Sequence, residues 1–189
     1  MLLASTLAWV LFTVLPRSVA TNDSRGPIRL LDLQDHLVDP FDVTPGTRAI
    51  VLVFVSADCP ISNRYAPEVR RLHDRFSPQG VRFWLVYSSG LDSRDTIRAH
   101  VKGFGYPMGA LRDPQLLLAR IAKATVTPEV AVFLPPRRLV YHGRIDDRYV
   151  DFAVDRQTPT RRDLQDALIG ALSGKRVPST SPAIGCSLF

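Results

Sequence analysis

Two cysteines in 189 residues are the telling scarcity of this chain. A disulfide scaffold needs several bridges, and a chain this long buries enough core to stand without them. Cys59 and Cys186 therefore read as one functional pair, or as one functional thiol beside a bystander. Long basic blocks are also missing. The net charge of +6 comes from dispersed arginines such as Arg70-Arg71, Arg137-Arg138 and Arg161-Arg162. With no aromatic-interleaved basic stripe, this describes a solvated surface and argues against nucleic acid as a partner. The four histidines, His36, His73, His100 and His142, show no metal-ligand spacing among themselves. No internal repeat is visible.

No apolar run reaches the roughly 20 residues that span a bilayer. The uncharged stretch from Leu2 to Leu15, with Trp9 and Phe12, stops at Pro16-Arg17. Ser18-Val19-Ala20 follows, with small residues at the spacing a signal peptidase reads. Residues 1–20 are expected to be a secretory signal and 21–27 a flexible lead-in, with the mature protein periplasmic or secreted. The amino-terminal region has no Lys or Arg before Arg17, which leaves an uncleaved anchor as the alternative, and only then is a membrane a partner. No cysteine closely follows the run, which argues against a lipoprotein anchor.

What is present is an ordinary globular composition, 46% hydrophobic and 22% charged. Seven of the eight residues from Ala49 to Ser56 are apolar, as in a strand buried on both faces. Ala66, Val69, Leu72, His73 and Phe76 then recur at helical spacing, predicting a helix from about Pro60 to Phe76 that Ser77-Pro78-Gln79-Gly80 ends. Before this unit, Ile28–Leu33 reads as a short strand, and 35–48, with Pro40, Pro45 and Gly46, as a loop. After it come a strand at 81–87, a helix capped by Ser93 to about Lys102, and a short strand at 106–111. A helix from Asp113-Pro114 to about Ala122 follows. Glu129–Leu134 and Leu139–Gly143 form a hairpin across Pro135-Pro136. The charged run Gly143–Tyr149 reads as a salt-bridged turn, and Thr160 as the cap of a last helix to about Leu172. Residues 28–172 make one domain, and 173–189 a Pro/Ser-rich tail carrying Cys186. Strands alternating with helices imply a parallel core with right-handed crossovers, and the late hairpin adds antiparallel edge strands.

Cys59 lies where the buried strand stops and the helix begins, at the carboxyl end of a central strand, where open α/β sheets place their ligands. Unpaired N–H groups and the positive end of the helix dipole favour thiolate over thiol there. Pro60 suits the first helical position. A buried, inert thiol is the alternative. Ser62 either donates to the Cys59 sulfur or caps the helix, and Arg64, one turn on, favours the thiolate or is simply solvated. Asp58 opposes the thiolate if it points inward.

The order of elements, Cys59 at the helix start, and the segments FVSADCPISNRYAPEV and TVTPEVAVF resemble the thioredoxin fold. Within it they are similar to the redoxin group, which includes alkyl hydroperoxide reductase/thiol-specific antioxidant proteins and exported thioredoxin-like oxidoreductases. The resemblance covers about residues 28–172. It implies an α/β protein: a thioredoxin-like three-layer α/β/α sandwich with a mixed central sheet. It also implies a cis Pro128 beside the thiol, with Thr127 and Pro128 presented to the substrate. It calls for no cofactor and no metal, and for a protein disulfide or peroxide substrate with an external thiol reductant. The chain departs from the pattern of that group in two motifs. Ser62 stands where a C-x-x-C pair has its second cysteine. In the peroxide-binding motif Ser56 holds the Thr/Ser position, but Leu52 replaces the Pro. Cys186 is the only internal candidate for a resolving thiol, its alternatives being a free tail thiol or a link between chains. The expected activity is thiol–disulfide exchange or peroxide reduction, and the competing reading is a non-catalytic partner-binding module.

Overall fold

The computed structural model describes residues 26–152, 154–178 and 180–188. The expected signal at 1–20 and most of the lead-in lie outside these residues. The architecture grows from the central strand β3 (Ala49–Val55), in which every residue is buried. Successive side chains of a strand point to opposite faces. Ala49, Val51, Val53 and Val55 accordingly join one hydrophobic cluster, and Ile50, Leu52 and Phe54 the other. Each face needs its own cover, and helices supply it on both sides.

The first face packs against α1 (Pro60–Phe76) through Ile61, Tyr65, Ala66, Val69, Leu72 and Phe76. It also packs against α4 (Asp163–Ser173) through Leu164, Ala167 and Leu168. The second face packs against α3 (Leu117–Ala122) through Leu118, Ala119 and Ala122, with Ile28 and Phe41. The remaining strands of the sheet are β1 (Leu30–Asp32), β2 (Leu37–Val38), β4 (Val81–Tyr87), β5 (Gly109–Arg112), β7 (Glu129–Leu134) and β8 (Arg138–Gly143). Together with β3 they form a seven-stranded sheet in the order β2-β1-β5-β4-β3-β7-β8. The β3–β4 and β4–β5 pairs are parallel and the others antiparallel. A mixed sheet between two helical layers is the expected three-layer α/β/α sandwich.

Helix α1 begins at Pro60, whose ring presets φ and whose missing N–H is unpaired at that position anyway. After Phe76 the chain leaves through Gly80 at φ 86, a conformation glycine adopts without a steric penalty. Leu72 is fully buried beneath this helix. Leu72→Ala is expected to lower the unfolding free energy by about 2–5 kcal/mol, read as a lower urea midpoint at unchanged slope.

Several elements differ from expectation for identifiable reasons. Helix α3 begins at Leu117 rather than at Pro114. The Asp113 carboxylate accepts the N–H groups of Leu117 (2.7 Å) and Ala119 (3.1 Å), and Leu116 takes a left-handed conformation just before the helix. Thr160 does not cap α4; its N–H and hydroxyl bind Asp147, and Arg162 precedes the helix. Of the hairpin's two strands, β7 lies inside the sheet and β8 alone is at an edge. Asp146 and Asp147, in the run read as a salt-bridged turn, are buried. Asp146 accepts from Tyr65 Oη at 2.5 Å and from the Arg148 N–H at 2.9 Å. The Ser93 cap is as expected, its Oγ accepting the Thr96 N–H at 3.1 Å ahead of α2 (Arg94–Gly103). Two short pairings have no counterpart in the sequence reading: β9 (Tyr149–Asp151) with β10 (Val154–Asp155), and β6 (Val126–Thr127) with β11 (Cys186–Ser187).

Candidate functional site

The β6–β11 pairing draws the tail back across the domain. Its ladder sets Cys186 opposite Thr127 and Ser187 opposite Val126, and the Leu188 N–H adds a bond to the Thr125 carbonyl at 3.0 Å. Glu129 fixes the edge that receives the tail, because its carboxylate accepts the N–H groups of Thr125 (2.8 Å) and Val126 (3.3 Å). Gly185 rests directly on the Thr127–Pro128 peptide, where any β-carbon would collide with the Thr127 carbonyl. That peptide is cis. Ile184 packs on the first cluster and Leu188 on the second.

Cys59 stands at the turn into α1 with extended backbone, its carbonyl accepting the Asn63 N–H at 3.1 Å. Its side chain is 1% exposed. Cys186 Sγ lies 2.9 Å from Cys59 Sγ, and the Thr127 carbonyl is 3.1 Å from Cys59 Sγ. Two residues 127 positions apart in the chain therefore have touching thiols. Both are free cysteines.

The pair is electrostatically unequal. Burial pushes the Cys59 thiol up, but the Cys186 S–H, then the N–H and hydroxyl of Ser62, outweigh it, so the net shift is downward. Burial, followed by the same contact with Cys59, pushes Cys186 up to about 11. When the pair carries one negative charge, the proton therefore stays on Cys186, whose S–H points at the Cys59 thiolate. When Cys59 is itself protonated, it donates to the Thr127 carbonyl instead. The rate of Cys59 alkylation is expected to rise with pH through an inflection below the ordinary thiol value of 9.0. In Cys186→Ala the inflection should move up, because the largest favourable contact is gone. An unchanged inflection would show that the tail thiol does not tune Cys59.

A second set of polar groups holds the turn from behind. Asn63 Nδ2 donates to the Ala57 carbonyl at 3.1 Å, and Asn63 Oδ1 lies 2.7 Å from His100 Nε2. His100 Nδ1 lies 2.7 Å from Tyr87 Oη. Because Asn63 Oδ1 can only accept, Nε2 carries the imidazole proton and Nδ1 accepts from the tyrosine. Burial lowers the His100 pKa, Asp58 opposing it. Below 6.5 the unfolded chain takes up a proton at His100 that the folded chain resists. Stability should therefore fall as pH drops below 6.5, and His100→Gln should remove that part of the slope in urea titrations. On the other side of the turn Asp92 faces Ser56 and the Ala57 N–H; burial, and then Asp58, raise its pKa. Asn63, His100, Tyr87 and Asp92 escaped the sequence reading, since they come from separate elements and form no spaced motif.

The residues singled out in the sequence fall into two groups. Cys59, Cys186, Ser62, Thr127 and Pro128 converge, with Ser62 fully buried inside α1 rather than capping it. Pro60 is the exposed first residue of that helix. Ser56 and Arg64 stand apart: the Ser56 side chain faces Asp92, and Arg64 reaches Tyr149 Oη (3.5 Å) and Asp155 (3.9 Å). Asp58 points to solvent. Among the described residues no group of three or more His, Cys, Asp or Glu is arranged to hold a metal ion. A cavity of about 510 Å³ lies between Tyr87, Asp92, Ser93 and Arg112, and neither cysteine lines it.

No family model and no curated relative matches the chain. Solved structures do. An uncharacterized conserved protein from Geobacillus kaustophilus is 27% identical with a TM-score of 0.75, over 86% of this chain and 88% of its own. A hypothetical protein from Sinorhizobium meliloti 1021 is 26% identical with a TM-score of 0.73, over 86% and 90%. A secreted Mycobacterium tuberculosis disulfide oxidoreductase, described as homologous to E. coli DsbE, is 16% identical with a TM-score of 0.54, over 80% and 98%. With a buried central strand running into a thiol-bearing helix start, opposite a cis proline, this chain has the thioredoxin fold.

Proposed function

We propose that the protein is an exported thiol–disulfide oxidoreductase in which Cys59 is the nucleophile and Cys186 the resolving thiol. The single observation that carries this reading is the 2.9 Å approach of the two sulfurs. The polarity of that contact, with Cys59 the first of the two to ionise, supports these roles. The Cys59 thiolate attacks one sulfur of a substrate disulfide, forming a mixed disulfide and expelling the other sulfur as thiolate. Cys186 then loses its proton and attacks Cys59 Sγ. A Cys59–Cys186 disulfide forms and the second substrate thiolate leaves. Two electrons have passed from the protein to the substrate, and an external thiol reductant returns them. Because Cys59 is covered by β11, the tail strand lifts before a bulky disulfide enters. Thr127 and Pro128 then line the vacated edge. Export is supported by the apolar segment at 2–15 and suits chemistry that depends on disulfides.

The 1% exposure of Cys59 favours one second reading, in which a small peroxide reaches the thiolate with the tail in place. The thiolate attacks one oxygen of the peroxide and releases hydroxide, leaving a sulfenic acid, which Cys186 converts to the same disulfide with loss of water. The placement of Ser56 against Asp92 rather than on the sulfur favours disulfide exchange.

Reduced protein given one equivalent of glutathione disulfide should yield a Cys59–Cys186 linked peptide on mapping without reductant. Hydrogen peroxide in a parallel sample separates the two readings by rate. If neither oxidant links the cysteines, and Cys59 alkylates no faster than a model thiol, the partner-binding reading takes over.

A further inference from the structure

The two cysteines differ in how a third sulfur can approach them. Cys59 belongs to the hydrophobic cluster itself, with Val55, Ile61 and Tyr65, and β11 lies across it. Cys186 packs on the margin of that cluster, keeps part of its surface in solvent, and is followed by an exposed Ser187. Exchange at a disulfide proceeds in line: the incoming sulfur approaches the attacked sulfur from the side opposite the leaving one. A sulfur approaching Cys59 meets a residue 1% exposed, whereas one approaching Cys186 meets a residue that keeps part of its surface in solvent.

We propose that the external reductant attacks the sulfur of Cys186, so that the mixed disulfide is carried by the tail and Cys59 departs as the thiolate. This rests on the Cys59–Cys186 disulfide proposed above. In the first step a reductant thiolate RS⁻ bonds to Cys186 Sγ, the Cys59–Cys186 bond breaks, and its electron pair goes to Cys59 Sγ. In the second step another reductant thiolate attacks the R-bearing sulfur. This releases Cys186 as a thiolate that takes up a proton, and RSSR is the oxidised product. Cys59 leaves as a thiolate still faced by the Ser62 N–H and hydroxyl, although Cys186, now bonded to the reductant sulfur, no longer has an S–H to donate. The order separates the traffic on the protein: substrate disulfides form their intermediate on Cys59, and reductants on Cys186. The reductant fitting this site is a thiol that presents its sulfur to an exposed strand at the margin of the domain, with no need for a groove at the start of α1.

The test starts from the oxidised protein, whose disulfide is verified by the mass of the linked peptide. It is exposed briefly to glutathione and quenched with acid, which protonates the thiolates and halts exchange; the free thiols are then alkylated and the peptides mapped. Glutathione on Cys186 with alkylated Cys59 is expected in at least about tenfold excess over the inverse at the earliest times. Glutathione mainly or equally on Cys59 overturns the proposal. Absence of the linked peptide before glutathione is added overturns it together with the pairing, so the two failures are told apart by the starting material. As a second measurement, the reductant should become trapped as a stable adduct on the tail in Cys59→Ser treated with glutathione disulfide. Failure of Cys186 to be modified there also counts against it.

Discussion

Replacing Gly185 by Val is expected to separate the two sulfurs. A β-carbon at this position would collide with the Thr127 carbonyl and lie 3.1 Å from the Pro128 nitrogen, both of them backbone that cannot swing aside. The tail must leave the β6 edge, and with it go the Leu188 to Thr125 bond and the 2.9 Å sulfur contact. Cys186 then becomes a thiol on a flexible tether, with an effective concentration in the millimolar range rather than that of an oriented pair. The equilibrium constant for closing the Cys59–Cys186 disulfide against glutathione should fall by about a hundredfold or more. Alkylation of Cys59, now 1% exposed, should accelerate in the same variant. The global unfolding midpoint should change little, because β3, α1 and α4 do not depend on the tail strand. Unchanged disulfide closure would show that the ladder is not what holds the sulfurs together.

Cys59→Ser should reduce disulfide turnover by about a thousandfold or more, since a hydroxyl at neutral pH is no substitute for a thiolate. Cys186→Ser separates the half-reactions. It retains the attacking sulfur and should stall as a mixed disulfide between Cys59 and the substrate, visible as a discrete mass. If Cys59→Ser turns over as the wild type does, the oxidoreductase reading fails and the partner-binding module replaces it.

These residues were legible in the sequence to different degrees. Pro60–Phe76 and Val81–Tyr87 stand where their periodicity and flanking Gly and Pro residues put them, because local pattern and tertiary packing agree there. The seven buried residues of β3 announced a two-faced core for the same reason. Thr160 misled because a hydroxyl three residues ahead of an amphipathic run looks like a cap. Asp147, distant in sequence, bound it first. Leu116 hid the true start of α3, since nothing in a leucine signals a left-handed backbone. Cys59 was evident from its place at a strand–helix junction. The contact with Cys186 was not, because β6 and β11 have two residues each and two residues show no periodicity. Glu129, which builds the receiving edge, looked like any strand residue after a proline.

The β6–β11 ladder also sets which part of the molecule moves first. Its partners are about sixty residues apart, and a contact of that span repays a large loop-closure entropy with only a few hydrogen bonds. Amides of Leu188 and its neighbours should therefore exchange with deuterium through local opening, long before those of β3, which exchange only on global unfolding. Forming the Cys59–Cys186 bond would tether that opening shut and slow exchange at the tail alone. Deuterium uptake at the tail strand would then report the oxidation state of a thiol that solvent itself cannot reach.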